Sequence, residues 1–317
     1  MQQQSVFIGV DVAKAELVIS IHGQAQHQSI ANDATSITTW LASLTPQAHL
    51  AMESTGKYHG LLAHLAQQAG LHVYVLNARD VYFYAKALGF RGKTDRLDCQ
   101  VIARYLAEHH ASLHEHSFGS TLQRRLHELL CRRAQVAVHQ SALRQVLRDL
   151  PELDAAKKSL QESFKAFLDQ VDEQIERLIS SDAQLEQGCA RLRTVTGIGP
   201  QAAALLGALF SRINFTNSDA LVAYSGLDPR PQDSGTKRGR RRLSKRGPAL
   251  LRRQIWLVGF AASHSTALKP LYQSLRAKGL STTAAIVVLA RKLLRVAYAV
   301  WRGSKPFDVA LLGPAKA

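Results

Sequence analysis

Short apolar runs separated by polar turns fill the first part of the chain. Val6–Val10, Leu17–Ile21, His27–Ile30, His49–Met52 and His72–Leu76 each have the length and composition of a β-strand. Between them the apolar positions shift to helical spacing. Asn32-Asp33 is a start signal for a helix holding Trp40 and Leu44, a second helix runs from about Tyr58 to Ala69, and a third covers Val81–Leu88. Three strands followed by alternating helix and strand predict a mixed α/β domain around a central sheet.

From residue 121 the period changes. Leu122, Leu126, Leu129 and Leu130, then Val136, Leu143, Val146 and Leu147, recur at steps of three and four. Pro151 interrupts, and Leu160, Phe164, Leu168, Val171, Ile175 and Leu178 resume the spacing with Asp169, Asp172, Glu173 and Glu176 outside. Two long amphipathic helices result, antiparallel or coiled against another subunit. Further on, Leu250–Phe260 and Thr282–Trp301 read as core helices with Arg252, Arg253, Arg291, Lys292 and Arg295 on an outer face.

Length and composition narrow the class. A chain of 317 residues, 46% hydrophobic and 20% charged, has room for two domains with proper cores. Cys99, Cys131 and Cys189 lie far apart and form no CxxC, which argues against a zinc ribbon or disulfide framework and suits a reducing cytoplasm. No basic-then-apolar leader pattern opens the chain, and no apolar run approaches a membrane span. The net charge of +16 is unevenly placed. Residues 1–110 carry eight Lys/Arg against eight Asp/Glu, residues 111–188 ten against twelve, and residues 189–317 twenty-two against four. A polyanion, most naturally nucleic acid, is therefore expected on the C-terminal third.

Four carboxylates fall at informative places. Asp11 and Glu53 close predicted strands, and Asp95 and Asp98, three apart, share one face at the start of a helix. Singly, each is an ordinary strand-end or helix-start residue. Jointly, at the carboxyl edge of an open α/β sheet, they offer oxygen ligands for Mg²⁺ and could hold two divalent ions in the arrangement suited to phosphodiester displacement. Downstream, Gly197 and Gly199 in Val-Thr-Gly-Ile-Gly-Pro open a helix, and this turn resembles the hairpin of a helix-hairpin-helix DNA-binding element; a plain loop with Pro at the first helical position is the other reading. Arg124, Arg125, Arg132 and Arg133 offer further contacts to nucleic acid. Between Arg230 and Arg253 lie ten Lys/Arg, among them Lys237, Arg238, Arg240, Arg241, Arg242, Lys245 and Arg246, against one Asp. Ser234 sits inside this run and is followed by Gly235, and a hydroxyl among arginines is suited to attack a phosphodiester. The residues alone do not separate Ser234 from Ser225 or Ser244. The histidines at 109, 110, 114 and 116 match no metalloenzyme motif and read as solvated.

Six segments together resemble one family. They are IGVDVAK (8–14), MESTGKYH (52–59), KTDRLDCQVIARYL (93–106), TVTGIGP (194–200), AYSGLDPRPQDSG (223–235) and LSKRGPALLRR (243–253). In order and spacing the chain is similar to the DEDD transposases of the IS-one-ten insertion-sequence family, recombinases guided by a bridge RNA. The resemblance implies an α/β RNase H-like (RuvC-like) domain over residues 1–112, a helical coiled-coil connector over 113–188, and a mainly α transposase domain over 189–317. It implies Mg²⁺ on Asp11, Glu53, Asp95 and Asp98, a nucleophile at Ser234, and a covalent 5′-phosphoserine intermediate. Its partners would be target and donor DNA, a non-coding guide RNA, and further copies of the chain in a tetramer, where one subunit's carboxylates meet another's serine. Three other readings stay open: a site-specific invertase of the same fold, a RuvC-like junction-resolving nuclease in which water attacks, and a non-catalytic nucleic-acid-binding protein. A sugar kinase, suggested by IGVDVAK, lacks a later Gly-rich phosphate turn and leaves the basic C-terminal third without a role.

Overall fold

The computed structural model describes residues 5–308 except 55, 57, 91–93, 117, 118, 237, 238, 240 and 304. It divides into two compact units, residues 1–118 and 119–317.

The first unit is built on five strands: β1 (Phe7–Val12), β2 (Glu16–Ile21), β3 (His27–Ala31), β4 (His49–Glu53) and β5 (His72–Leu76). Their order in the sheet is β3-β2-β1-β4-β5, with β1, β2 and β3 antiparallel neighbours and β4 and β5 parallel to β1. Alternation along the strands sends side chains to two faces. Ile8, Val10, Val12, Leu17, Leu50, Met52 and Val73 form one core with Ile37, Trp40 and Leu41 of α1 (Ala34–Leu41) and Leu62, Ala63 and Ala66 of α2 (His59–Gln68). On the other face Ala51 and Tyr74 pack with Val81 of α3 (Ala78–Ala87) and with Val101, Ile102 and Leu106 of α4 (Asp95–His109). Each large apolar side chain so buried contributes about 1.5–3 kcal/mol. Gly9 sets how closely α4 lies on β1: a Cβ there would stand 2.2 Å from the Cys99 carbonyl oxygen and 2.3 Å from the Ala103 nitrogen. The helix backbone rests on the strand backbone, and only glycine permits it.

The second unit is helical: α5 (Thr121–Val146), α6 (Asp154–Ser180), α7 (Ala183–Arg193), α8 (Pro200–Arg212), α9 (Ser218–Ser225), α10 (Ala249–His264), α11 (Lys269–Ala277) and α12 (Thr282–Arg302). A two-stranded ribbon, β6 (Pro229–Arg230) with β7 (Arg242–Leu243), stands between α9 and α10. Ser120 and Gln123 form a capping box at the start of α5. A single 3-10 turn beginning at Pro151 reverses the chain, so α5 and α6 form an antiparallel hairpin within one chain. Leu126, Leu130, Ile175 and Ile179 enter the same core as α7, α8, α10 and α12. The long helices are therefore rooted in the C-terminal core. No residue from Cys131 to Phe167 is buried, so the outer part of the hairpin projects from it. At the root, Arg133 donates to Asp172 twice, Nε to Oδ1 at 2.5 Å and Nη2 to Oδ2 at 2.8 Å, and Gln201 of α8 adds a bond at 3.2 Å. Among the described residues no helix is long and apolar enough to cross a membrane.

Candidate active site

The sheet register brings two of the four carboxylates side by side. Asp11 is the fifth of six residues of β1 and shares the parity of Gly9, the residue under α4. Glu53 ends β4 and shares the parity of Ala51, which packs on the α4 side. The parallel pairing of the two strands reaches Val10 with Met52, so Asp11 and Glu53 are the next step in register. Both are half-buried at the carboxyl edge of the sheet.

The other two come from α4. Thr94 caps it, its hydroxyl accepting from Leu97 N at 3.3 Å, which makes Asp95 the first helical residue and sets Asp98 in the first turn. Asp95 is exposed, while Asp98 is half-buried beside Cys99. The thiol of Cys99 reports on what surrounds it. Burial pushes its pKa up to about 11, and the charges of Asp11 and Asp98 both add to that rise. These two carboxylates therefore act on the same atom from strand and helix. Asp11, Glu53 and Asp98 each also interact with neighbouring groups. The donor set is carboxylate oxygen throughout, the type Mg²⁺ takes. Among the described residues, however, no three His, Cys, Asp or Glu side chains stand close enough together to hold a metal ion. The carboxylates share one edge without closing around a point.

The three candidate serines have different surroundings. Ser225, the last residue of α9, is fully buried; its Oγ donates to Val222 O at 2.7 Å and accepts from Leu227 N at 3.3 Å. Ser244 is buried and its hydroxyl donates to Asp228. Ser234 is exposed. It lies beyond β6 and β7 toward the far end of their hairpin, just before Gly235, whose φ of +55° turns the chain. Behind it, Arg241 clasps Asp233 through two parallel bonds, Nη1 to Oδ1 at 2.5 Å and Nη2 to Oδ2 at 2.9 Å, and Gly239 N donates to Asp233 Oδ1 at 3.0 Å. This clasp lies in the sequence segment around Ser234, yet sequence reasoning missed it. Asp233 is the single acid of the basic run, and that was the available signal.

Two family models cover most of the chain: one described as a transposase with a DEDD domain of IS110 type, over residues 8–153, and one described as the transposase IS116/IS110/IS902 family, over residues 189–273. The chain belongs to the IS110 family of transposases. The family inferred from the six sequence segments is thus the one that matches. Over 95% of its length the chain is 28% identical to the pilin gene-inverting proteins of Moraxella bovis and Moraxella lacunata, covering 97% of each. It is also 31% identical, over 35% of the chain and 28% of the relative, to an uncharacterized 43.6 kDa protein of insertion element IS110 from Streptomyces coelicolor.

The basic residues of the chain fall into distinct groups. Arg133 is committed to Asp172 and Arg241 to Asp233. Arg125 pairs with Glu128 at 2.8 Å, Arg124 donates to Thr121 at 3.1 Å, and Arg132 donates to Gln135 at 3.2 Å, all on the surface of α5. Arg242, Lys245 and Arg246 are exposed, whereas Lys237, Arg238 and Arg240 lie outside the described residues. Lys245 and Arg246 sit on a strap that crosses the end of α9 with almost no clearance, since a Cβ on Gly247 would meet Tyr224 O at 1.9 Å. This crossing packs the Tyr-Ser-Gly-Leu-Asp-Pro segment against the Ser-Lys-Arg-Gly-Pro segment. The Gly197 and Gly199 turn joins α7 to α8, with Gly197 packed against α10 and Gly199 exposed as the N-cap of α8. A helix, a tight turn and a helix with Pro200 at its first position fit both readings of this segment. Of the four clustered histidines, His114 is exposed as expected, whereas His109 stacks on Tyr105 at 4.5 Å, and His110 packs on Phe7 at 4.8 Å and on His49 at 5.4 Å.

Proposed function

We propose that the chain is a DNA recombinase that cuts and rejoins strands through Ser234. The observation that carries this reading is the contrast among the three serines, since a nucleophile has to reach the phosphorus and only Ser234 stands exposed. Its Oγ attacks the phosphorus and the bond to the 3′ oxygen breaks, that oxygen leaving with the electron pair and taking up a proton. A 5′-phosphoserine forms. The 3′ hydroxyl of another strand then attacks the same phosphorus, and Ser234 leaves as the hydroxyl. One phosphate ester replaces another at each step, so rejoining needs no nucleotide hydrolysis.

In this reading Asp11, Glu53, Asp95 and Asp98 would hold Mg²⁺, supported by their all-oxygen character, by the placement of Asp11 beside Glu53 and by the action of both Asp11 and Asp98 on Cys99. Bound there, the ion would neutralise phosphate charge and favour the ionised form of the attacking hydroxyl. The strand order β3-β2-β1-β4-β5 supports an RNase H-like, RuvC-like assignment for the first unit. Arg242, Lys245 and Arg246 are exposed beside the serine hairpin and would balance charge developing on the phosphate. The guide RNA, and the tetramer in which carboxylates and serine come from different subunits, rest on the family resemblance.

Inversion of a DNA segment is the second reading of the same chemistry. It is favoured by the two relatives matched along nearly their whole length, both named pilin gene-inverting proteins. The test uses a nicked DNA substrate that traps a covalent adduct. Wild type should give a protein–DNA adduct that depends on Mg²⁺, and both Ser234→Ala and Asp11→Asn should abolish it. Continued nicking by Ser234→Ala would make water the nucleophile and the chain a nuclease. Sequencing the RNA that co-purifies with the chain decides the guide: one discrete RNA supports it, and random RNA removes it.

A further inference from the structure

α3 presents two unlike faces. Inward, Val81 is buried and Tyr84 packs edge-on to Tyr105 at 5.1 Å, its hydroxyl donating to Glu108 at 2.5 Å. Outward, Arg79, Tyr82, Phe83 and Lys86 recur at steps of three and four and so form one continuous stripe. Tyr82 and Phe83 are 53% and 52% exposed, with ring centroids 5.4 Å apart. Each ring has a cation over it: the Arg79 guanidinium lies 5.5 Å from the centre of Phe83, and the Lys86 ammonium 5.1 Å from the centre of Tyr82. Asp80, the one acid of this helix, falls off the stripe.

Two neighbouring aromatic rings left more than half in water mark a surface that something covers. The flanking cations say what kind of partner. Tyr, Phe and Arg suit a protein interface too, but Lys is depleted there, whereas an unpaired nucleic-acid strand uses all four, offering flat bases to the rings and phosphates to the cations on either side. The position agrees. Leu76 of β5 pairs with Glu53, Asn77 caps α3, and Arg79 follows two residues later. The first turn of α3 therefore begins within roughly 16 Å of the Glu53 backbone. We propose that the Arg79–Tyr82–Phe83–Lys86 stripe is a stacking platform for an unpaired strand of DNA or RNA leaving the carboxylate edge. Its relation to that edge rests on the proposed role of Glu53; the stacking itself does not.

The test uses the full chain in EDTA, so that no strand is cut. Single-stranded DNA and RNA of one sequence, about 20 nucleotides long and carrying 5-iodouracil, are photocrosslinked beside the matching duplex, and adducts are mapped by mass spectrometry. Adducts on Tyr82 or Phe83 from a single strand but not from duplex are expected, and the strand that gives them identifies the ligand as DNA or RNA. The Tyr82→Ala/Phe83→Ala variant should lose them and bind single strands at least about tenfold more weakly with duplex binding unchanged. Tyr82→Trp/Phe83→Trp should restore binding. Arg79→Ala/Lys86→Ala should lower the salt slope for single strands by about 1.4. Adducts confined to residues 189–317, with unaltered affinity in the alanine variant, would overturn the platform and leave the recombinase reading standing. A changed sedimentation coefficient of the alanine variant without loss of strand binding would make the stripe a protein contact. Absence of all nucleic-acid binding would overturn the proposed function itself.

Discussion

Asp233 and Arg241 hold the backbone on which Ser234 is displayed. The two parallel bonds from Arg241, followed by the Gly239 N–H, keep the Asp233 carboxyl below its ordinary value of 3.8. A carboxyl depressed in the folded state stabilises the fold above its unfolded pKa, and that contribution disappears only as pH falls through the lowered value. Between about pH 5 and pH 9 the clasp is therefore constant, and strand exchange should show no titration from Asp233. Asp233→Asn keeps the shape but removes the charge-assisted pair; adduct formation should fall about tenfold through loss of positioning, and a variant with wild-type rates would show the clasp to be dispensable. Ser225 behaves differently. Removing its buried hydroxyl strands the Leu227 N–H and costs about 1–3 kcal/mol. Ser225→Ala should lower Tm by several degrees while retaining the Ser234 adduct.

At the scale of elements, the carboxylate edge depends on how α4 seats on β1. The contact is backbone on backbone at Gly9, so Gly9→Ala cannot be relieved by rotating a side chain. A shift of α4 moves Asp95 and Asp98 relative to Asp11. Thermal unfolding of Gly9→Ala should show a loss near or above the upper end of the 1–3 kcal/mol typical of overpacking, together with loss of adduct formation; an unchanged Tm would contradict the close seating. The strands themselves were legible in the sequence, because alternation between a covered face and an α4 face leaves short apolar runs at the right lengths. Only their ends moved: Asp11 lies within β1 rather than closing it. The long helices were legible for the same reason. What stayed hidden was short or local. α9 and α11 span eight and nine residues, too few for a period to stand out, and β6 and β7 have two residues each. The Ser234 hairpin is held by the Asp233–Arg241 clasp and by close backbone crossings, neither of which leaves a hydrophobic pattern. The aromatic stripe of α3 is hidden for another reason: apolar rings at helical spacing, as at Tyr82 and Phe83, have the same pattern as core positions.

For the whole molecule, the entire basic excess falls in the second of the two units. Residues 1–118 carry eight Lys/Arg against nine Asp/Glu, and residues 119–317 carry thirty-two against fifteen. The first unit has its two core layers on either side of one sheet, and the second has a single core that also anchors α5 and α6. Each half thus buries its own apolar surface, and each should fold when expressed separately. Their binding should then separate as their charges do. Phosphate neutralisation gives a slope of log K against log salt proportional to the number of contacts made. The 119–317 piece should keep most of the steep salt dependence of the full chain on duplex DNA, while the 1–118 piece should bind duplex weakly and with a shallow slope. Neither piece should form the phosphoserine adduct alone, because the serine lies in one and the carboxylates in the other; mixing the two tests whether they complement. Adduct formation by the 119–317 piece without its partner would show that Ser234 needs no carboxylate edge, and the division of labour argued from charge and core would fall with it.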